Sequence, residues 1–299
     1  MPDRAGYLPE GTPISWPTFL DTPPAEADFS AAQVAVIPVA YDRTTSYMGG
    51  ARLGPEAIIR ASRHLEDYDL ELERDISLIG IHTTPVLAPD VDPRAMVDQV
   101  RRVVHSVARQ GKMPALLGGE HTIAVGAVQA MAGLHSGLSV LYLDAHADLR
   151  ESYMGTQWGH ASVARRLSEL CPLVQVGVRS LSSEERDFIR ETRLPAYFWS
   201  PEPPDISQVA ESVLERLSDP VYLSIDLDVF DPSLMAAVGT PEPGGMSWSQ
   251  VTGLLRAVAE RRKIVGFDIT ELSPGEGPEA CSFTAAKLAY KLIGYATST

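Results

Sequence analysis

Cysteine is nearly absent from this chain of 299 residues: Cys171 and Cys281 are the only two, far apart and without CxxC spacing. That excludes a disulfide framework and fits a reducing, cytoplasmic setting. Positive charge is also scarce. Lys and Arg number 25 against 39 Asp and Glu, giving a formal charge of −14. Such a balance argues against nucleic acid or an anionic membrane as partner, and suits a cationic ligand or bound cations. No apolar run is long enough to span a bilayer. The opening MPDRAGYLPEGTPISW lacks the basic region and apolar run of a signal peptide. Internal repeats and Gly/Ser linkers are missing too, so nothing divides the chain beyond its Pro-rich start.

What is present is a globular composition, 44% hydrophobic and 21% charged, with length enough for a large core. Residues 1–30 read as an arm lying on the surface or on a neighbouring subunit, and 31–299 as a single domain. From Gln33 onward, apolar runs alternate with amphipathic segments. The runs are VAVIPV (34–39), ISLIGI (76–81), PALLG (114–118), LSVLYLD (138–144), LVQVGV (173–178), PAYFW (195–199), VYLSID (221–226) and KIVGFDI (263–269). They show little polar alternation, as expected of strands covered on both faces of a parallel sheet. Helical spacing marks 55–68, 92–110, 206–217, 247–262 and 282–293. Strand then helix, repeated, gives an α/β domain with a mainly parallel sheet. In such sheets the ligand site lies beyond the carboxyl ends of the strands.

Four of the runs end in acids and imidazoles. PALLG leads to Glu120-His121, LSVLYL to Asp144, His146 and Asp148, VYLSI to Asp226, Asp228 and Asp231, and KIVGFDIT to Glu271. Taken singly, each reads as a cap, a turn residue or a satisfied core histidine. Taken together, uncompensated carboxylates delivered to one sheet edge are costly, and a shared cation is the simplest resolution. Alternate residues of an extended chain face one side, so Asp144, His146 and Asp148 can converge, as can Asp226 and Asp228. Mixed N/O ligation without thiolates suits manganese or a related divalent ion. Six ligands suit two metals roughly 3.5–4 Å apart.

The blocks GGEHT (118–122), DAHAD (144–148), SIDLDVFDP (224–232) and GTPEPGG (239–245) resemble the signatures of the ureohydrolases, the arginase and agmatinase family. SYMGGARLGPEAIIRAS (46–62) and FDITELSP (267–274) resemble its first and last blocks. The resemblance runs from about Val34 to the C-terminus. It implies a three-layer αβα sandwich with an eight-stranded parallel sheet. Two Mn2+ ions would be held by His121, Asp144, His146, Asp148, Asp226 and Asp228, with Asp144 and Asp226 bridging. Glu271 would hold the substrate guanidinium, and His160, in GHASV, would be the active-site histidine. Trimers or hexamers are usual in such enzymes.

Arg150 stands where the family's arginases have Asn, which points to the agmatinase branch and to hydrolysis of agmatine to putrescine and urea. The implied chemistry is attack of a metal-bridging hydroxide on the guanidinium carbon. Asp148 would carry the proton to the leaving amine, and His160 would exchange it with solvent. Guanidinobutyrate or arginine are the alternative substrates. A non-catalytic metal-binding homologue and a zinc amide hydrolase are the rival classes. Glu120 and Thr122 depart mildly from the family pattern.

Overall fold

A computed structural model describes residues 17–22, 28–87, 89–200, 202 and 204–298. Its strands are β1 (Val34–Val39), β2 (Tyr68–Asp69), β3 (Arg74–Asp75), β4 (Ile81–Thr83), β5 (Met113–Gly118), β6 (Ser139–Leu143), β7 (Leu173–Val178), β8 (Ala196–Phe198), β9 (Val221–Asp226) and β10 (Ile264–Thr270). The α-helices are α1 (Gly54–Ser62), α2 (Pro93–Arg109), α3 (Ile123–Leu134), α4 (Val163–Ser168), α5 (Ser183–Thr192), α6 (Ile206–Leu214), α7 (Trp248–Ala259) and α8 (Ala280–Ala296). Eight strands form one sheet in the order β4-β1-β5-β10-β9-β6-β7-β8, and every pairing in it is parallel. β2 and β3 form a small antiparallel pair apart from it.

Alternation along the strands sends side chains into two cores. Leu141 and Leu143 of β6 join a core roofed by α1, α6, α7 and α8, while Val140 and Tyr142 join one roofed by α2, α3, α4 and α5. Helices therefore cover both faces, which makes the expected αβα sandwich. Of the expected arm, residues 17–22 and 28–30 are described and the rest lies outside the described residues. Phe19 is buried, its amide donating to Thr83 Oγ1 at 2.9 Å. Among the described residues no helix is long and apolar enough to cross a membrane.

One expected strand is displaced. Over 76–81 the chain makes a 3-10 turn at Ser77–Ile79, and the strand begins only at Ile81. Asp75 Oδ1 accepts from the Ser77 amide at 2.8 Å and its hydroxyl at 2.6 Å, so a local side chain captures the backbone. Gly80, at φ 77°, then redirects the chain into the sheet. Three helices were not legible as amphipathic stripes. α3 (IAVGAVQAMAGL) is apolar almost all round because it is buried on most sides. α4 is only six residues long, and α5 is mostly polar and stands on a capping box from Ser182 and Glu185.

The four strands that end in acids and imidazoles, β5, β10, β9 and β6, are consecutive neighbours at the centre of the sheet. Their carboxyl ends therefore open on one spot. The turn after β5 is fixed by backbone contact: Gly119 donates to Val39 O at 2.8 Å and Glu120 to Tyr41 O at 2.7 Å. A Cβ at Gly119 would lie 1.9 Å from the Tyr41 carbonyl oxygen, so only glycine fits. Gly253 is the opposite case, an exposed position inside α7 with open space around its would-be Cβ. Gly119→Ala should destabilise the protein by about 1–3 kcal/mol through forced backbone displacement. Gly253→Ala should stabilise it by roughly 0.5–1 kcal/mol. Denaturant midpoints of the two variants check the opposite signs.

Candidate metal centre

The sheet's register lays a polar row beneath this spot. Leu116, Asp268, Ser224, Tyr142 and Gln175 are successive partners across β5, β10, β9, β6 and β7. Because side chains repeat every second residue, the next residues on that face are Thr270 on β10, Asp226 on β9 and Asp144 just past β6. The row above thus places Asp226 and Asp144 side by side at the sheet's edge. Gln175 Nε2 donates to Ala147 O at 2.7 Å and ties the DAHAD segment down to β7.

His121, Asp144, His146, Asp148, Asp226 and Asp228 all converge. Ligand atoms of His121, Asp144 and Asp226 lie within 4.8 Å of one another, and so do those of Asp144, His146 and Asp228. Asp144 belongs to both groups: its Oδ2 is 3.1 Å from His121 Nδ1 and its Oδ1 is 3.6 Å from His146 Nδ1. Asp226, which the family resemblance has bridging, is grouped here with His121 and Asp144. Its Oδ2 is 3.3 Å from His121 Nδ1, while Oδ1 accepts the Asp228 amide at 2.8 Å in the turn that follows β9. Asp228 faces His146 Nδ1 at 2.8 Å with Oδ2 and accepts the Ala145 amide at 3.0 Å with Oδ1. Asp148 sits beside the first group, its Oδ2 3.9 Å from His121 Nδ1, and accepts the Tyr142 hydroxyl at 2.8 Å.

The electrostatics are those of crowded acids. Burial and the neighbouring Asp144 carboxylate push the Asp148 carboxyl well above the usual range, and burial with Asp228 and Asp144 does the same to Asp226. Burial also opposes charge on His121 and His146, but the surrounding aspartates outweigh it and raise both imidazoles above their ordinary value. Asp144, hydrogen-bonded to both imidazoles, is held low despite its burial. Among the described residues no Lys or Arg side chain forms an ion pair with these six. Four aspartates at most 7% exposed, balanced only by two imidazoles, fit a pair of divalent cations with N/O ligation.

The cluster floors a cavity of about 310 Å³. Glu271 lines it from the end of β10, and its Oε1 accepts the His121 amide at 2.6 Å. Burial and the nearby Glu120 raise the Glu271 carboxyl well above the usual range. His160 lines the wall, with Nδ1 3.3 Å from Thr44 Oγ1 and Nε2 3.3 Å from Ser46 Oγ. Burial and the charge on His146 push its pKa down to about 4, so the ring is neutral at pH 7. It also opens the short 3-10 turn before α4. Arg150 lines the cavity too, its guanidinium 5.0 Å from the centre of the Tyr153 ring. Glu120 turns away from the cluster to accept from Thr44 and Thr122. Sequence reading leaves Tyr142, Ser224 and Gln175 aside and takes Asp268 only as a cap. Their signal was present, since Tyr142 and Ser224 each stand two residues before a ligand.

Residues 32–294 match the Arginase family. The N(1)-aminopropylagmatine ureohydrolase of Synechocystis sp. is 39% identical over 280 residues, 91% of each chain. The agmatinase of Pyrococcus horikoshii is 35% identical over 273 residues, 89% of this chain and 93% of its own. The crystal structure of the agmatine ureohydrolase of Thermoplasma volcanium superposes with a TM-score of 0.85 at 34% identity, covering 95% of each chain.

A histidine whose folded pKa lies above 6.5 gives stability that is complete below pH 6.5 and is lost as pH rises through the folded value. His121 and His146 both lie on that side. The raised carboxyls of Asp148 and Asp226 act in the same direction. Metal-free protein should therefore lose thermal stability steadily between pH 6.5 and 9. Added Mn2+ should raise the Tm more at each higher pH, because the cation competes with the same protons. Calorimetric scans of both forms check this, and a flat metal-free profile would contradict the charge arrangement.

Proposed function

This chain belongs to the arginase family as a metal-dependent ureohydrolase of the agmatinase type, and on that premise we propose that it releases urea from the guanidinium of agmatine. The observation that carries the reading is Asp144, whose two oxygens face two separate groups of ligands on the floor of one cavity. His121, Asp144 and Asp226 would hold one divalent cation and Asp144, His146 and Asp228 the other, with Asp148 beside the first. Bound there, two such cations supply Lewis acidity and a lowered pKa for a water molecule, so that a strong nucleophile exists near neutral pH. The reading takes the metal as manganese, and the assembly as a trimer or hexamer in the cytoplasm, on the strength of the family resemblance.

The chain's own residues do the rest. Glu271, fixed by the His121 amide, offers its second oxygen to the guanidinium N–H groups through charge-assisted hydrogen bonds. Addition of the water oxygen to the guanidinium carbon gives a tetrahedral carbon. Tyr142 holds Asp148 by Oδ2, leaving Oδ1 to take the proton from the attacking water and deliver it to the amine nitrogen. The C–N bond then breaks, and the proton remaining on the added oxygen passes to the released amine, giving urea and the protonated amine. Neutral His160, oriented by Thr44 and Ser46, exchanges protons with solvent at the cavity wall.

A second reading concerns the amine end. The relative at 39% identity is named for N(1)-aminopropylagmatine, which favours an agmatine carrying an aminopropyl group on its amine. A urea-release panel with Mn2+-loaded protein separates the readings. Agmatine or its aminopropyl derivative should be hydrolysed at least about 100-fold faster than arginine or guanidinobutyrate, and the faster of the first two names the substrate. Equal or faster release from arginine would overturn the agmatinase-type assignment. Metal analysis tests the cluster: Asp144→Ala should bind no Mn2+ tightly, while Asp228→Ala should retain one ion.

A further inference from the structure

Behind His121 lies a polar chain that the hydrolytic steps leave without a task. His121 Nε2 is 2.9 Å from Ser224 Oγ, and Ser224 Oγ is 2.9 Å from Asp268 Oδ1. All three residues are fully buried. Asp268 Oδ2 has no hydrogen-bond partner, and among the described residues no Lys or Arg forms an ion pair with Asp268. A buried carboxylate with an orphaned oxygen is expensive. Its Oδ1 contact runs through Ser224 to an imidazole, and the Tyr222 hydroxyl, likewise without a hydrogen-bond partner, lies near the same carboxyl.

Proton counting gives that contact a direction. A carboxylate oxygen facing a hydroxyl accepts, and serine has a single hydroxyl proton. Asp268 Oδ1 takes that proton, so Ser224 has only lone pairs left for His121, and Nε2 must donate. The assignment is the same if Oδ2 carries a proton, because Oδ1 still accepts. A neutral imidazole has one N–H. With it placed on Nε2, the Nδ1 that faces Asp144 and Asp226 is a bare lone pair. His146 has no comparable backing. Its Nε2 lies 3.8 Å from Glu242 Oε1, outside hydrogen-bond reach, and its side chain is 27% exposed.

We propose that Ser224 and Asp268 are positioning residues that fix His121 in the tautomer able to ligate a cation through Nδ1, which makes the deeper of the two metal positions the preorganised one. This rests on the dinuclear reading given above. Loss of such a partner behind a ligating histidine weakens metal binding by about 10–100-fold. In Ser224→Ala, Nε2 loses its acceptor. In Asp268→Ala, the freed hydroxyl can turn its proton toward Nε2 and drive the imidazole proton to Nδ1.

The test is Mn2+ titration of the full chain by calorimetry, with the spin-coupled electron paramagnetic resonance signal of the manganese pair as second readout. Wild type should bind two ions. S224A and D268A should each weaken one ion by about 10–100-fold and lose the coupled signal at Mn2+ levels that give it in wild type. In an Asp228→Ala background, which leaves the deeper group, S224A should weaken the remaining ion. In a His121→Ala background, which removes the imidazole through which it acts, it should not. The double variant S224A/D268A should bind no more weakly than S224A alone, because the hydroxyl through which Asp268 acts is gone. Two ions bound as in wild type by S224A, or weakening in both backgrounds alike, overturns the proposal. If D268A does not fold, S224A in the two backgrounds decides. A wild type that binds one ion refutes the dinuclear reading and this inference with it; a wild type that binds two, with unaffected variants, overturns this inference alone.

Discussion

Four aspartates and two imidazoles share a volume from which solvent is nearly excluded, and the rest of the fold answers to that crowding. Like charges at such separations in a poorly polarisable interior repel strongly. The raised carboxyls of Asp148 and Asp226 and the raised imidazoles beside them are the protein's own partial answer, in protons. A scaffold must hold these groups together before any cation relieves them. A parallel sheet does this well, because it aims the ends of adjacent strands at one place and buries its backbone under helices on both faces.

The restraint continues into the loops. Asp148 and Glu271 take left-handed backbone conformations, at φ 50° and 67°, that side-chain-bearing residues rarely adopt. Such strain persists only where the surroundings over-determine it. Asp148 is clamped by Tyr142, and Glu271 by the Gly119 carbonyl, which accepts its amide, and by the His121 amide. The Arg179 guanidinium gathers the carbonyl oxygens of Asp228, Phe230 and Glu242, so the loop carrying one ligand is tied to the end of β7. These contacts convert secondary structure into fixed ligand positions.

Sequence alone carried most of this. The parallel sheet was readable because strands buried on both faces show unbroken Val, Ile and Leu, and the clustering of acids and imidazoles because they follow those runs directly. The displaced strand at 76–81 shows the limit of that rule, since Asp75 diverts an apolar run into a turn through two short hydrogen bonds. α3 escaped for a related reason: a helix buried on most sides has no polar stripe to betray its period. At the site, residue identity gave the donor set but not its partition. That Asp144 turns Oδ2 to His121 and Oδ1 to His146 depends on where the two imidazoles sit in space, which spacing alone does not give. The supports Ser224 and Asp268 are separated by 44 residues in sequence and meet only through the pairing of β9 with β10.

That pairing makes the two cation positions unequal. The group of His121, Asp144 and Asp226 draws on the ends of β5, β6 and β9, and all three side chains are almost wholly buried over the polar row of the sheet. The group of Asp144, His146 and Asp228 leans outward, with the His146 ring partly exposed to the cavity. A ligand set held by strands loses little freedom when it closes on an ion, whereas one held by loop residues must be ordered first. The deeper position is therefore the structural anchor of the centre. The shallower one opens onto the cavity that Glu271 also lines. Asp144 is common to both groups, so the rigidity of the sheet reaches the cavity through it.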